Sequence, residues 1–403
     1  MGQIVSSITD LRLPKGEYVL ALPGWYPTWI DPMPGDFNQR HVKAAGLYKP
    51  QVVLYIGKDT TNTLTTVQVQ FHQLNENVAE ILVLYPSEKL KAWDVIQSNV
   101  TYIKLLYKFA EQIKGRWGMP LLLHSYIVLR GGLSGWLLGK HWKLPYILSE
   151  NWTIYYPADP GYLLKRNIVF RYLVKLIFKS VNRFLPVTKN LDSQVQQLVG
   201  NVKSTIIPNV VETGDFFYTE EKKNANPFQF IHISTMVYQK NPEGLLRAFH
   251  AFNLQMPGSK LLMVGPYPDA VFKYAKSLGL NDSTIAFTGT VTYIEVAKLL
   301  QLSSALVLFS RYENLPCVIL ESLCCGVPVI STSVGGVDEV VNVSNGILVE
   351  SENEEMLTKA FLKMRNDYAL FDRKKIAETS VECFSYAAVG SQINQVYDEV
   401  AYR

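Results

Sequence analysis

The chain has few cysteines, no long uninterrupted apolar run and little excess charge, and each shortage excludes a class of protein. Four cysteines among 403 residues, without the spacing of a metal site, favour free buried thiols in a reducing compartment over disulfides. The longest apolar stretches are broken by charged residues and are too short to span a bilayer. A net charge of +4, with no motif that mixes aromatic and basic residues, argues against a nucleic-acid partner.

Metal-binding and targeting signals are also scarce. The sequence has no Asp-x-Asp pair placed for a metal-bound diphosphate and no cluster of His and Cys, so we expect catalysis without a metal. The first residues lack a basic segment followed by an apolar core, which argues against a secretory signal. Met1-Gly2 with Ser6 fits only a loose myristoylation pattern. We therefore expect a cytoplasmic protein, with contact to the inner face of a membrane as an open alternative.

Length and pattern predict an α/β protein of two domains. An apolar content of 48% excludes a disordered chain, and 403 residues exceed one ordinary domain. Short apolar strands alternate with helices, which implies parallel sheets with right-handed crossovers. We place the junction between about Val199 and Thr205, giving two Rossmann-like domains, 1–203 and 204–385, that face each other across a cleft. The predicted strands are 18–22, 51–56, 120–123, 145–148, 230–234, 260–264, 305–309 and 347–349, and the predicted helices are 38–47, 242–254 and 270–278.

The segment that begins at the predicted strand 305–309 is the most informative. A polar loop with Glu313 follows this strand, and Pro316 favours the start of a helix that ends at Gly326. Glu321 falls in the second turn of that helix, where a buried acid needs a hydrogen-bond partner. A ligand hydroxyl is one such partner. The alternative is that Glu313 is an exposed loop residue and that Glu321 pairs with a lysine or a backbone amide.

Two groups of donors could bind a phosphate near these glutamates. The free amides around Asn314, Leu315 and Cys317, together with the helix dipole, form the first group. Lys240 is the second, because it precedes Asn241 and Pro242, which favour a helix start and would place its ammonium beside a helix amino end. This arrangement suits the diphosphate of a sugar nucleotide. An exposed turn lysine is the alternative.

The spacing of Glu313 and Glu321, with seven residues between them, resembles the signature of retaining glycosyltransferase family 4, especially its bacterial members. Several further motifs in the same order resemble that family. They are Pro23-Gly24-Trp25-Tyr26-Pro27, Gly35-Asp36-Phe37-Asn38-Gln39, Ile207-Pro208-Asn209-Val210-Val211, Phe216, Gln239-Lys240-Asn241-Pro242, Val264-Gly265, Phe287-Thr288-Gly289, Cys325-Gly326-Val327-Pro328-Val329-Ile330 and Gly335-Gly336.

The resemblance implies the GT-B fold, with an acceptor-binding first domain, a donor-binding second domain and a last helix, 386–403, that returns to the first. It also implies transfer of a sugar from a UDP- or GDP-linked donor to an acceptor hydroxyl with retained configuration. The acceptor would be a saccharide or a lipid-linked sugar in cell-surface polysaccharide or glycolipid synthesis. No cofactor is implied, since the nucleotide sugar is a co-substrate.

The same resemblance assigns roles to individual residues. Glu313 and Lys240 would be catalytic, the first touching the donor sugar and the second stabilising the leaving diphosphate, while Glu321 would bind the ribose hydroxyls. The remaining donor-binding candidates are Asn314, Leu315, Pro316, Gly35, Gly265, Thr235 and Gly289. Glu150, Asn151 and His124 are candidates for the acceptor or sugar side, although Glu150 could be structural and His124 could be a core histidine.

Two positions depart from the family pattern. Thr235 stands five positions before Lys240, where many members have an arginine, and Arg311 is a candidate to replace that cation. Asn151 stands where relatives often have a histidine; an asparagine can hydrogen-bond a hydroxyl but cannot carry a proton. These departures leave two alternatives open, a sugar-nucleotide epimerase or hydrolase on the same architecture and a non-catalytic sugar-nucleotide-binding protein.

The segment 162–183 is basic and apolar, and no acidic residue occurs from Pro160 to Leu191. A basic amphipathic helix of this kind can lie on an anionic membrane, which would suit a lipid-linked acceptor. A solvated basic face above a core-facing helix explains the pattern equally well.

Overall fold

Two β-sheets organise the chain, one in each half. The computed structural model describes residues 2–87, 91–220 and 227–402, and over these ranges it contains a first sheet of eight strands and a second of six. Alternate residues of the central strands of the first sheet enter different hydrophobic clusters, such as Val19 in one and Leu20 in another. Both faces of the sheet are therefore buried, as expected for parallel strands covered by helices.

The first sheet is mixed rather than wholly parallel. Its spatial order is β1-β4-β5-β3-β2-β6-β7-β8, and β4 runs antiparallel to both β1 and β5. The predicted strands did not include β4 and β5, which a two-residue turn at Glu76 and Asn77 joins as a hairpin. The strands are β1 (Gln3–Val5), β2 (Val19–Pro23), β3 (Gln51–Lys58), β4 (Gln68–Asn75), β5 (Val78–Tyr85), β6 (Leu122–Tyr126), β7 (Tyr146–Glu150) and β8 (Arg183–Pro186).

The helices of the first half are α1 (Asp36–Gly46), α2 (Lys91–Trp117), α3 (Leu133–Trp142), α4 (Ile168–Ser180) and α5 (Lys189–Val199). Helix α1 connects the parallel strands β2 and β3, so its amino end lies at the carboxyl edge of the sheet. Among the described residues, no helix is both long and apolar enough to cross a membrane.

The second sheet is parallel throughout its described strands, in the order β11-β10-β9-β12-β13-β14. Each predicted strand of this half is present within two residues of its expected ends. The strands are β9 (Phe228–Ile233), β10 (Ser259–Val264), β11 (Ile285–Gly289), β12 (Ala305–Leu308), β13 (Val329–Thr332) and β14 (Gly346–Val349). The helices are α6 (Pro242–Gln255), α7 (Asp269–Ser277), α8 (Tyr293–Gln301), α9 (Cys317–Cys324) and α10 (Glu354–Asn366).

The carboxyl-terminal helices are α11 (Arg373–Phe384) and α12 (Tyr386–Ala401), and α12 packs on the first half of the chain. Gly390 of α12 lies so close to α1 that a Cβ there would be 2.2 Å from the carbonyl oxygen of Ala44. At the other end, Arg183 and Glu399 form an ion pair of 2.7 Å. The last helix therefore joins the end of the chain to the first sheet.

Before the chain enters the second half, its backbone pairs with β8 at the edge of the first sheet. The amide of Thr205 donates to the carbonyl of Phe184 at 2.9 Å, and that of Ile207 donates to Pro186 at 3.0 Å. The predicted boundary at 203/204 thus falls at the start of a stretch that still pairs with β8.

Candidate active site

Glu313 lies in the loop between β12 and α9, and residues of its own domain hold its carboxylate. The side chain is buried, Lys240 Nζ is 2.5 Å from its Oε1, and Ser310 Oγ donates to the same oxygen at 2.7 Å. Gln239 Nε2 donates to Oε2 at 3.3 Å and to the carbonyl of Tyr312 at 2.9 Å. The carboxylate is therefore fixed in place at the carboxyl edge of the second sheet.

Gly335 and Gly336 pack against the Glu313 loop. Gly335 has a φ of +60°, and a Cβ on it would lie 2.1 Å from the carbonyl oxygen of Glu313. The amide of Gly336 donates to the carbonyl of Asn314 at 3.0 Å. Helix α9 begins at Cys317, one residue later than predicted, because Pro316 is extended and serves as the N-cap. The amides of the first turn of α9 and the positive end of its dipole therefore lie beside the loop.

Lys240 ends a short 3-10 turn that leads into α6. Asn241 has a φ of 47° and caps α6 by accepting from the amide of Gly244 at 3.3 Å, while Pro242 is the first helical residue, as the sequence predicts. An ammonium has three N–H donors. Lys240 can therefore keep its bond to Glu313 and still donate to a phosphate.

Glu321 lies at the other end of the cleft, and its partner comes from the first domain. Arg40 of α1 is 2.8 Å from Oε1 of Glu321, and the hydroxyl of Tyr293 donates to the same oxygen at 2.5 Å. Arg40 also pairs with Asp36 at 2.5 Å and donates to the carbonyl of Val210 at 3.2 Å. Burial and the neighbouring Glu321 carboxylate raise the pKa of Tyr293 well above its usual value, so it stays a hydroxyl donor.

Sequence reasoning missed Arg40, which lies 281 positions from its partner. The available signal was a charged side chain one helical turn before Ala44, which is buried on the same face of α1. A buried arginine needs an acidic partner, but the sequence does not say which one.

A cavity of about 510 Å³ lies between the domains next to Glu321. It does not include Glu313. Burial raises the pKa of Cys317, which also faces the cavity, to about 12, so its thiol is neutral. The lining residues of most interest are Asp36, Gln39 and Arg40 from the first domain and Val291, Tyr293 and Glu321 from the second.

Gly265, Gly289 and Thr235, three predicted donor-binding residues, lie at the same edge of the second sheet. Gly265 and Gly289 follow β10 and end β11, and the amide of Gly265 donates to the carbonyl of Gly289 at 3.0 Å. A Cβ on Gly265 would lie 2.1 Å from the carbonyl oxygen of Ser234, whereas Gly289 faces open space. Thr235 is exposed in the adjoining loop.

Arg311 does not replace the missing cation in this arrangement. Its Nε pairs with Glu352 at 3.0 Å, its Nη1 donates to the carbonyl of Tyr238 at 2.5 Å, and its guanidinium lies over the Tyr238 ring. Lys240 remains the basic side chain that contacts Glu313 among the described residues.

Gly35 is at the amino end of α1 with a φ of +76°, and a Cβ there would be 2.3 Å from the carbonyl oxygen of Trp25. The conformation and the close contact both require glycine. The helix end that the sequence predicts near the cleft is therefore present at the carboxyl edge of the first sheet.

Asn151 and Asn314 meet across the domain boundary instead of facing an open pocket. Asn314 Nδ2 donates to Asn151 Oδ1 at 3.2 Å, and Asn151 Nδ2 donates to Asn209 Oδ1 at 3.1 Å. Asn209 Nδ2 in turn donates to the carbonyl of Leu315 at 2.8 Å. This ladder of amides fixes the Glu313 loop relative to the first domain.

The other two acceptor-side candidates are interior residues of the first domain, so the structure does not bring their side chains to the cleft. Glu150 accepts from the amides of Val128, Asn151 and Trp152 and from the hydroxyl of Tyr155, while burial raises its pKa. These bonds tie two loops together. Glu150 is a structural residue here, which was the alternative considered above.

His124 lies on β6 beneath α12. Its Nδ1 is 2.7 Å from the hydroxyl of Tyr397 and its Nε2 is 2.8 Å from Ser149 Oγ. Burial, and then the nearby His41, lower the pKa of His124 well below its usual value. It is a neutral core histidine that anchors the last helix.

Within the described ranges, no group of three or more His, Cys, Asp or Glu side chains is placed to hold a metal ion. The positive groups next to the two motif glutamates are Lys240 and Arg40.

Residues 216–380 match the family described as glycosyl transferases group 1. The matched segment lies in the second half of the chain and contains Lys240, Glu313 and Glu321. The chain is 26% identical over 360 residues to an uncharacterized glycosyltransferase of Methanocaldococcus jannaschii, and the match covers 86% of this chain and 96% of the relative. The residues at both ends of the cleft therefore fall within the part of the chain that resembles the glycosyl transferases group 1 family.

Solved structures with the same architecture cover nearly the whole chain. Sucrose-phosphate synthase from Thermosynechococcus elongatus superposes with a TM-score of 0.76 at 17% identity, covering 95% of this chain and 99% of that one. Anabaena HepE in complex with UDP superposes with a TM-score of 0.71 at 15% identity, covering 95% and 100%. At such identities the likeness establishes the fold, and the predicted two-domain GT-B architecture is confirmed.

Proposed function

We propose that this glycosyltransferase moves a sugar from a nucleotide-sugar donor to an acceptor hydroxyl with retained anomeric configuration, in cell-surface polysaccharide or glycolipid synthesis. The observation that carries the proposal is the Lys240–Glu313 pair beside the amino end of α9. A fixed cation and free helix amides stabilise a diphosphate that gains charge as the sugar leaves.

The catalytic roles follow from that geometry. Lys240 and the first amides of α9 stabilise the departing diphosphate, and the buried Glu313 contacts the donor sugar. Glu321 binds the ribose hydroxyls at the edge of the 510 Å³ cavity, which holds the nucleoside. The proposal assigns the positive charge to Lys240 rather than to a metal, and it requires no cofactor beyond the two substrates.

UDP is the proposed nucleotide of the donor, with GDP as the competing choice. The proposal is supported by the UDP complex of the similarly folded Anabaena protein. A competition between UDP and GDP for binding decides between them.

The proposed acceptor is attached to a lipid, and the outer face of α4 contacts the membrane that carries it. Support comes from the exposure of its apolar side chains: Ile168 is 73%, Val169 71% and Tyr172 68% exposed. Lys165 and Lys179 are exposed on the same segment. A helix that presents both apolar and basic side chains to the outside has the composition of an interfacial helix, whereas a purely solvated face would not expose three large apolar side chains.

The deciding experiment incubates the protein with a panel of UDP-, GDP- and ADP-sugars, with and without membrane lipid extract, and follows nucleotide release and the anomeric protons of the product by NMR. Acceptor-dependent release with the donor's configuration, unaffected by EDTA, is expected. Release that ignores the acceptor would indicate the hydrolase or epimerase alternative, and the absence of nucleotide binding would indicate a non-catalytic protein.

Membrane contact has its own test. Sedimentation with vesicles of phosphatidylcholine and phosphatidylglycerol is expected to retain the protein, and Ile168→Ser with Tyr172→Ser to release it. The matched control is Leu370→Ser, which changes a side chain that is 81% exposed on the second domain. Equal retention of all variants, or no retention of the unaltered protein, would contradict the proposed contact.

A further inference from the structure

Three aromatic rings meet at the cleft edge of the first domain. The ring centroids of Trp25 and Trp152 are 5.2 Å apart with their planes at 68°, and those of Trp25 and Phe37 are 6.4 Å apart at 88°. Trp25 follows β2, Phe37 is in the first turn of α1, and Trp152 follows β7. We call these three residues the aromatic corner. Trp25 and Phe37 come from one segment and Trp152 from another, more than 100 positions away. The parallel strands β2 and β7 bring the two segments together.

Core packing explains only part of the aromatic corner. All three side chains are half-buried, and Trp152 packs against a large hydrophobic cluster. None of the clusters formed by described residues includes Trp25 or Phe37. In the described ranges, the indole nitrogens of Trp25 and Trp152 have no hydrogen-bond partner, and unlike Trp136 Nε1 they are not enclosed. The corner thus offers ring surface together with open N–H donors.

The corner is held in place by the backbone beneath it. Asn38 Nδ2 donates to the carbonyl of Trp25 at 2.9 Å, and Gly35 packs directly on the same carbonyl. The amide of Trp152 donates to the buried carboxylate of Glu150 at 2.9 Å. A surface whose parts are fixed in advance loses less entropy when a ligand binds.

The corner also lies beside the Glu313 loop. Trp152 follows Asn151, whose side chain accepts from Asn314, the neighbour of Glu313. A molecule on the corner therefore lies next to the place where the donor sugar would contact Glu313.

We propose that the aromatic corner binds a pyranose ring of a saccharide acceptor. This inference rests on the proposed function and adds the site and chemical class of the acceptor. The C–H face of a pyranose packs on an aromatic ring, and its hydroxyls accept from the indole N–H groups, so the ligand matches both properties of the corner. A nucleobase also stacks on aromatic rings, but the donor nucleoside has its own cavity beside Glu321.

The test measures binding of methyl glycosides of glucose, galactose, mannose and N-acetylglucosamine by saturation-transfer NMR. At least one glycoside is expected to bind the unaltered protein through its ring protons, and Trp152→Ala to weaken that binding about tenfold. Tyr402→Ala, which changes an exposed aromatic residue that follows the last helix, is the matched control and keeps full binding. UDP affinity of Trp152→Ala stays within about twofold of the original, because stacking on the corner is not part of the nucleoside cavity.

Each other outcome overturns the inference. No binding of any glycoside, or equal loss in Trp152→Ala and Tyr402→Ala, removes the saccharide site. A loss of UDP affinity in Trp152→Ala assigns the corner to the nucleoside instead. The proposed function is judged separately, by turnover of nucleotide sugars: transfer whose acceptor KM is unchanged in Trp152→Ala overturns only the corner, and glycoside binding without any turnover overturns only the proposed function.

Discussion

The two ends of the cleft are built in different ways. At the end proposed to bind the diphosphate, Glu313 is held by Lys240, Ser310 and Gln239, all from the second domain. At the end proposed to bind the nucleoside, Glu321 is held by Arg40 of the first domain as well as by Tyr293 of its own. One acidic site is therefore complete within a single domain, and the other is complete only when the domains are together.

The difference has a consequence for substrate binding. In the proposed function, the diphosphate meets Lys240 and Glu313, whose side chains are positioned within the second domain, whereas the ribose meets a carboxylate held by Arg40 of the first domain. Donor binding at the nucleoside end should therefore depend more strongly on the domain arrangement than donor binding at the diphosphate end, where the first domain contributes through the Asn151–Asn314 bond.

The largest expected effect is at Glu313. Glu313→Ala should reduce transfer by about 10³-fold or more, because it removes a fixed charge beside the reacting sugar. Initial rates with a saturating donor measure it. Glu352→Ala, an exposed loop glutamate paired with Arg311, is the control and should keep normal rates. Unchanged turnover in Glu313→Ala would contradict the assigned role.

The next-largest effect is expected at Lys240, and it distinguishes binding at the diphosphate end from binding at the nucleoside end. Lys240→Ala should slow transfer about 10²-fold, since it removes a donor to the departing diphosphate. It should also weaken UDP binding while leaving uridine binding unchanged, as titration calorimetry would measure. Lys276→Ala, a surface lysine paired with Asp282, is the control. A parallel loss of uridine affinity would show that Lys240 supports the fold of the whole cleft and not the phosphate alone.

Arg40 and Glu321 should act as one unit on uridine. Glu321→Ala and Arg40→Ala should each weaken uridine binding about tenfold, because each leaves the other charge without its partner. The double variant should bind uridine no more weakly than the single variant with the lower affinity, because the effects of substitutions at two contacting residues are not additive. Arg247→Ala breaks a comparable Arg–Glu pair away from the cleft and should not change uridine affinity. Additive losses would contradict an action of Arg40 through Glu321.

The smallest expected effect at neutral pH is on stability and comes from two buried histidines, His41 and His232. Burial lowers the pKa of His41 and of His232 to about 4 in the folded chain. The unfolded chain then binds the extra protons, so the free energy of unfolding falls as pH falls from about 6.5 towards 4. At pH 6, each histidine should lower the free energy of unfolding by about 1 kcal/mol relative to high pH.

Urea unfolding at pH 7, 6 and 5 measures this dependence. His41→Gln and His232→Gln should each make the slope of stability against pH shallower in that window. A slope that is unchanged in both variants would mean that neither imidazole is neutral in the folded protein.

How far the sequence predicts the site depends on how local each contact is. The Glu313 loop follows from a buried strand, a proline and a glycine within a short stretch, and Lys240 follows from the Asn241-Pro242 cap beside it. The Arg40–Glu321 pair joins positions 281 apart, and no periodic pattern selects one buried arginine partner from several carboxylates.

The same argument applies to the candidates in the first domain. The motif that contains Asn151 suggests a sugar contact, and the structure shows that its side chain bridges Asn314 and Asn209. The sequence leaves open whether His124 is a core residue and whether Glu150 is structural, and only the packing of α12 and of two loops shows which groups hydrogen-bond to them.

The amino-acid sequence by itself determined the alternation of strands and helices, the two-domain plan and the elements that carry Lys240, Glu313 and Glu321, because short-range patterns of burial and capping fix these features. Only the tertiary structure decided which distant side chains meet: Arg40 with Glu321 and Asn151 with Asn314 across the cleft, and Trp25 with Trp152 within the first domain. Those contacts depend on how two separate sheets and a returning helix pack against one another, and that packing is a property of the whole chain.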